Sequence, residues 1–314
     1  MNSVVFLNPK TCGIYKDGGP RFKTDPATGR RTEQIDNELI EDVDAYVAGT
    51  TPAGGVCISL GRVFARGVLV PTYYDDRYNQ PFRALIKRLK VGSVTLGKLI
   101  DEGAIHVRGG HGSPGNDRRS GHIPYVKVSD IRGVRVNTNP TNLVTENVAR
   151  RFWRGNTSGL EPWDLITPNR ASSNIGEFAM LLPGEEQIVL TKEVFVLRVM
   201  KPELFDAFYL LWAFSLKAVR DQWRRVALMQ TNREDCGARY REVMLPRPSS
   251  LEWACKVSAP FRDYFQTIAV AKAVFLKVVS DDGFEYVANV RSIDSAVPSE
   301  ESELGEVRPE SLED

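Results

Sequence analysis

The sequence predicts an α+β protein in which a twisted β-sheet with flanking helices follows a small strand-rich region and precedes a long helix. Three observations carry that prediction. Apolar residues recur in strand-like alternation at Ile123, Tyr125, Val126 and Val128 and again, with a period of two, at Phe178, Met180 and Leu182. Leu204, Phe205, Phe208, Tyr209, Leu211, Trp212, Leu216, Val219 and Trp223 recur on one face of a helix. Beyond Pro260, the residues Phe261, Tyr264, Ile268, Ala271, Phe275 and Val278 step by threes and fours, with Val257 one step earlier, as in a heptad-like seam.

In chain order, residues 1–82 read as the strand-rich region. Strands are expected at 4–7 and 56–60, hairpin arms around the Asp-Gly and Thr-Gly turns that follow Thr11, and a helix at 36–46 through Ile35, Leu39, Ile40, Val43 and Tyr46. Pro81 marks a break before 82–89, and 93–100 reads as a short helical entry to a second unit spanning 83–248. The loop GGHGSPGNDRRSGH from Gly109 permits close backbone approach and carries Arg118 and Arg119, but it lacks the Gly-Lys-Ser/Thr ending of a nucleotide-triphosphate loop. A flexible surface loop is its ordinary reading, with nucleic-acid contact the alternative. Pro246 and Pro248 punctuate the end of this unit, and Ser249 with Glu252 has capping-box spacing for the helix of 249–281. Residues 295–314, acidic and poor in large apolar groups, are expected to be disordered.

Of 314 residues, 42% are hydrophobic and 26% charged, enough for one large core or two modest ones. No apolar run approaches a bilayer-spanning length and no basic-then-apolar leader opens the chain, so a soluble cytoplasmic protein is expected. Cys12, Cys57, Cys236 and Cys255 are scattered without a C-x-x-C pair, which argues against a zinc knuckle or a disulfide scaffold. The net charge of +1 conceals an asymmetry: residues 299–314 carry seven acids against one base, and the remaining 298 residues hold 40 bases against 33 acids. Between Arg83 and Leu245 there are 25 Lys and Arg against 17 Asp and Glu, an electrostatic footprint suited to phosphates.

That excess coincides with polar turns at the ends of the expected strands. IPYVKVSDIRG (123–133) and DLITPNRASSNIGEFAMLL (164–182) each join an apolar run to Ser, Asn, Asp, Lys and Arg, and a third polar stretch lies near Thr231. Candidate phosphate or base contacts are Lys127, Ser129, Arg132, Arg170, Ser172, Ser173, Asn174, Arg224, Arg225, Asn232 and Arg233, with Arg118 and Arg119 behind them. Ser172 and Ser173 serve equally well as turn formers. The aromatic residues between 204 and 223 are read as core, because their spacing is helical.

Catalytic signatures are missing from the sequence. There is no N-P-P-Y/F tetrapeptide, no Glu-x-Lys, no G-x-S-x-G elbow and no Walker loop. His106, His111 and His122 crowd one region, yet Asp101, Glu102, Asp117 and Asp130 match no metal-ligand spacing, so no metal site is expected.

Residues from about 91 to 280, three-fifths of the chain, resemble one target-recognition domain of a type I restriction-modification specificity subunit followed by its spacer helix. The resemblance rests on Val128, Ser129, Asp130 and Ile131; on Asp164, Leu165 and Ile166 leading to Arg170, Ser172, Ser173, Ile175 and Gly176; and on Arg241, Glu242, Val243, Leu245, Pro246 and Pro248. It implies a subunit without catalysis of its own that reads double-stranded DNA for a partner adenine-N6 DNA methyltransferase, in a restriction-modification or anti-phage defence system. S-adenosylmethionine would sit on that partner, and a restriction nuclease subunit is a further partner the family implies. Phe261, Tyr264, Ile268 and Phe275 are the docking candidates on the helix. Full-length specificity subunits carry two such domains, whereas this chain shows one copy. Its first 82 residues instead resemble, at Cys12-Gly13, Asp17-Gly18 and 25–29, the region preceding a fused recognition domain in type I-like adenine methylases. The specificity half of a split methylase and a half-length subunit that self-associates both stay open.

Two rival readings are a hydrolase built on His111, His122 and Asp130 and a protein-interaction subunit without DNA sequence preference. Neither accounts at once for the basic excess and the three ordered matches.

Overall fold

A computed structural model describes residues 3–52, 54–170, 173–230, 233–281 and 283–284. The chain mixes helices with small sheets and ends, among the described residues, in a long helix. Residues 295–314, expected to be disordered, lie outside the described residues.

The strand Ser3–Leu7 pairs antiparallel with Gly55–Ser59, and a second hairpin pairs Phe22–Thr24 with Arg31–Ile35. Helix Glu38–Val47 starts at Asn37, whose side chain accepts the Ile40 backbone N–H. Phe6, Ile58, Val63, Tyr73 and Tyr74 form a small core, with the Phe6 and Tyr74 rings stacked at 4.6 Å. Leu228, far along the chain, closes this cluster. Helix Leu60–Arg66, capped by Ser59, was not foreseen.

At the centre lies a four-stranded antiparallel sheet in the order Ala179–Met180, Leu165–Pro168, Val194–Val199, Ile105–Gly109. Its two faces feed different cores, as the two-residue period of a strand requires. Leu165 lies opposite Leu197 and Met180, and all three belong to the largest cluster. The next pair, Ile166 with Val196 and Ala179, enters a second cluster with Val126, Ile131 and Leu190. Burial on both faces explains why Leu165 and Ile166 stand side by side without alternation, ahead of a Thr167 that is buried as well. Beside it, Ile123–Val126 pairs antiparallel with Leu143–Val144 and parallel with Val189–Leu190.

Helix Ala207–Ser215 is buried nearly all round, and helix Lys217–Val226 lies next to it. The single helical face read over 204–223 is therefore two helices, because Leu216 takes an extended backbone (ψ 124) and caps the second. Three further local expectations change. Pro81 sits in the first turn of helix Gln80–Leu89, where its missing N–H costs nothing, rather than interrupting the chain. Residues 93–95 belong to the strand Gly92–Thr95, which pairs with Met244–Arg247, and the helix begins only at Leu96 with Thr95 as its cap. The long helix runs Leu251–Asp281, and Ser250, not Ser249, accepts the Trp253 N–H at its start.

That helix of 31 residues, about 46 Å at 1.5 Å per residue, packs on helix Ala207–Ser215. Its buried seam is Ala254, Ser258 and Phe265, flanked by Trp253, Val257, Phe261 and Ile268. Ser258 Oγ donates to the Ala254 carbonyl, Arg262 pairs with Asp206, and Lys272 meets Glu185 at 3.3 Å. Phe261 and Ile268 thus serve this chain's own core, which corrects their reading as docking residues. Tyr264 and Phe275 remain about half exposed, with Val270, Val274 and Val278 bare along the distal half.

Candidate nucleic-acid interface

The VSDI turn folds as a short 3-10 helix, Val128–Asp130, leading into a two-residue strand at Ile131–Arg132. Asp130 is buried and makes the turn: its carboxylate accepts the Lys127 backbone N–H at 2.8 Å and the Ser129 hydroxyl at 3.1 Å. Ile131 anchors the turn in the second core. These fixed points leave Ser129 and Arg132 exposed at the tip, with the Lys127 ammonium 5.9 Å from the Tyr125 ring centroid.

The second turn leaves the sheet at Pro168. Asn174 is buried beneath it and accepts a hydrogen bond from Arg132 at 2.9 Å, which ties the two turns together. Asn174 is four positions along from Arg170, so the chain can set them no more than about 14 Å apart. Arg170 forms an isolated β-bridge with Asp235, and its Nε lies 3.4 Å from the Asp235 carboxylate. The backbone N–H of Cys236 donates to the Asn169 carbonyl. Asp235 ends the hairpin Leu228–Gln230/Arg233–Asp235, the third polar stretch. Arg132 and Asn174, and separately Arg170 and Asn169 with Asp235 and Cys236, thereby join parts of the chain that are far apart in sequence.

Behind these contacts Asp164 is buried, with 1% of its side chain accessible, and accepts a bidentate pair from Arg198 at 2.8 and 2.7 Å. It also accepts the Glu161 N–H, so it holds the strand entry rather than facing a ligand. Gly176 takes φ +85 and presses against Trp223 so closely that a Cβ there would stand 2.4 Å from the indole Cγ. This contact seats the second turn on helix Lys217–Val226. One face of that helix therefore looks toward the turn: Arg220 meets Glu177 at 3.5 Å, and Arg224, one helical turn on, is exposed with no ion-pair or side-chain hydrogen-bond partner among the described residues. Arg220 was missed in sequence, although its i, i+4 relation to Arg224 was a usable signal.

Other candidates fare differently. Arg225 has only 12% of its side chain accessible; it lies over the Tyr73 ring, donates to the Tyr73 carbonyl and pairs with Glu242, so it is not a surface contact. Arg119 is spent on the Asn142 side chain, the Pro114 carbonyl and the Tyr125 ring, and therefore shapes its loop, while Arg118 is exposed. Asn174 is a buried support rather than a contact. Ser173 is exposed; Ser172 and Asn232 lie outside the described residues, and for Arg233 only the backbone strand is described.

The hydrolase alternative loses His111. His111 Nδ1 accepts the Leu190 N–H at 2.9 Å and Nε2 donates to the Ser158 carbonyl at 2.8 Å, so both nitrogens are engaged by backbone. Burial, with nearby Arg108 adding repulsion, pushes its pKa down to about 4, and the ring stays neutral. Asp130 is occupied as described, and His122 is exposed. Among the described residues no three His, Cys, Asp or Glu side chains are arranged to hold a metal ion, and no helix is long and apolar enough to cross a membrane.

The chain is similar, at low TM-score, to solved subunits of type I restriction-modification systems. One is the S subunit from M. genitalium, at 12% identity over 59% of this chain and 42% of that one, with a TM-score of 0.38. Another is the HsdS subunit from Thermoanaerobacter tengcongensis, at 14% identity over 65% and 43%, with a TM-score of 0.35. A third chain belongs to a structure describing assembly and conformational transition of the type I R-M system, at 15% identity over 66% and 46%, with a TM-score of 0.37. The chain spans less than half the length of each. No protein-family model matches it, and no curated protein matches it in sequence.

Proposed function

We propose that this chain is a sequence-specific DNA-binding specificity subunit that directs a partner adenine-N6 DNA methyltransferase, and in a restricting system a nuclease, to its target. Residues 83–248 are read as the target-recognition unit, 249–281 as the spacer helix, and 1–82 as the lead-in region. The observation that carries this reading is the pairing of polar residues far apart in sequence through the Arg132–Asn174 bond, the Arg170–Asp235 bridge and the Cys236–Asn169 backbone bond.

Arg132, Arg170 and Arg224 are the principal phosphate or base contacts, with Lys127, Ser129 and Ser173 alongside. The Arg170–Asp235 pair is half exposed and worth less than about 1 kcal/mol, so a phosphate or a guanine edge can replace the carboxylate at little cost. Cations contacting phosphates release counterions, which makes affinity fall with salt, while each bidentate base contact adds about 1–3 kcal/mol of discrimination. The exposed Tyr264 and Phe275, with the distal half of the long helix, are the surface left for the methyltransferase or a second copy.

The test is selection from randomised duplexes at two salt concentrations, with the chain alone and with a type I adenine methyltransferase subunit added. Enrichment of one motif that Arg132→Ala and Arg170→Ala relax or abolish supports the reading. Salt-sensitive binding without any enriched motif refutes it.

A further inference from the structure

The N-terminal region and the larger core are separated by a cleft of roughly 830 Å³ that the recognition surface does not use. Its walls carry five cations, Arg62, Arg66, Lys98, Arg225 and Arg241, against the carboxylates Asp76, Asp101 and Glu242. Those carboxylates are already engaged. Asp76 pairs with Arg83, which lies outside the cleft, and Asp101 is an exposed partner of Arg241 at 2.5 Å. Glu242 is held by three donors at once: the Tyr73 hydroxyl at 2.8 Å to both oxygens, Arg66 at 3.2 Å and Arg225 at 3.3 Å. One carboxylate beneath two guanidiniums orients them and leaves positive charge uncompensated. The Arg62 side chain is exposed and has no hydrogen-bond or ion-pair partner among the described residues, and Lys98 reaches only Glu102, at 3.8 Å. One buried donor of the lining, Arg225 Nε, also lacks a hydrogen-bond partner, as a group does where a bound species or ordered water completes it.

We propose that this cleft is a binding site for a phosphate-class polyanion, contacted by Arg62, Arg66, Lys98 and Arg241. The cations stand on different elements: helix Leu60–Arg66, helix Leu96–Asp101 and the 3-10 turn Gly237–Glu242. They surround a volume in the range of small-molecule sites, so several phosphoryl groups are matched better than one. Planar guanidinium forks suit phosphoryl oxygens, and the exposed Arg241–Asp101 pair exchanges readily for a stronger anion. The inference does not depend on sequence-specific DNA reading, because none of its four contacts belongs to the recognition surface.

The experiment is isothermal titration of the full chain with inorganic triphosphate, for the wild type and for Arg62→Glu, Arg241→Glu and Arg62→Lys, with Arg88→Glu as a control of equal charge change on an exposed helix face elsewhere. Arg62 and Arg241 are surface-accessible, and circular dichroism checks that the variants fold. Affinity is expected to fall about tenfold or more in each cleft reversal, to fall by less in Arg62→Lys, which keeps the charge but loses the planar fork, and to be unchanged in Arg88→Glu. Failure of the wild type to bind triphosphate, equal affinity in the cleft reversals, or an equal loss in Arg88→Glu would each overturn the proposal. A short non-specific duplex added as competitor assigns the source: displacement identifies a nucleic-acid backbone as the ligand, and its absence identifies a free phosphate compound. Loss of motif selection with intact triphosphate binding would refute the proposed function while leaving the cleft standing.

Discussion

Gly176→Ala is the sharpest perturbation of the surface proposed to read DNA, because it acts through a single close approach. Two costs add. At φ +85 a side chain strains the backbone by about 1–2 kcal/mol. The new Cβ would also lie 2.4, 2.7 and 2.8 Å from Trp223 Cγ, Cδ1 and Cβ, and the indole cannot swing aside, being buried with Phe178 at 5.8 Å and Phe214 at 6.4 Å. Overpacking of this kind costs roughly 1–3 kcal/mol more, so the total is about 2–5 kcal/mol. At roughly 2–4 °C per kcal/mol for a core of this size, the melting temperature should drop by about 4–20 °C in a thermal scan followed by circular dichroism. Gly184→Ala separates the two costs: Gly184 has φ +84 but nothing within 4 Å of its Cβ position, so it carries the backbone cost alone. Equal shifts in the two variants would show that Trp223 does not seat the second turn and would refute the reasoning.

Asp164→Asn should lower stability by about 2–4 kcal/mol, read as a lower urea midpoint, because it leaves the Arg198 guanidinium facing an amide where it met a carboxylate at 2.7 and 2.8 Å. An unchanged midpoint would mean that the buried pair is not structural. His111 supplies a pH dependence. Its folded pKa of about 4 lies below the ordinary 6.5, so the unfolded chain binds more protons between those values and stability falls as pH drops from 6.5 to 4, by up to about 3 kcal/mol. His111→Gln should flatten that segment of the stability profile, and an unaltered slope would remove His111 as its source.

Part of the candidate site is legible in the sequence. The polar turns at 127–132 and 170–174 stood out because strands that must bury apolar side chains end abruptly in groups able to face phosphates. Legibility failed where a residue's value depends on its neighbours. Arg225 and Arg224 are adjacent and chemically identical, yet a helix turns the first onto Tyr73 and Glu242 and the second to solvent. Phe261 and Ile268 shared a seam with Tyr264 and Phe275 on paper, but only the packing partner of the helix decides which of them is covered.

The sequence by itself determined the mixed helix and strand content, the long C-terminal helix and the basic excess of 83–245, because periodicity and composition act locally and need no partner. Tertiary structure alone decided that Asp130, Asn174 and Asp164 are internal supports, that His111 is locked between two backbone groups, and that Arg132 meets Asn174 while Arg170 meets Asp235. Those outcomes depend on contacts between residues far apart in the chain, and no single stretch of sequence records what will lie against it.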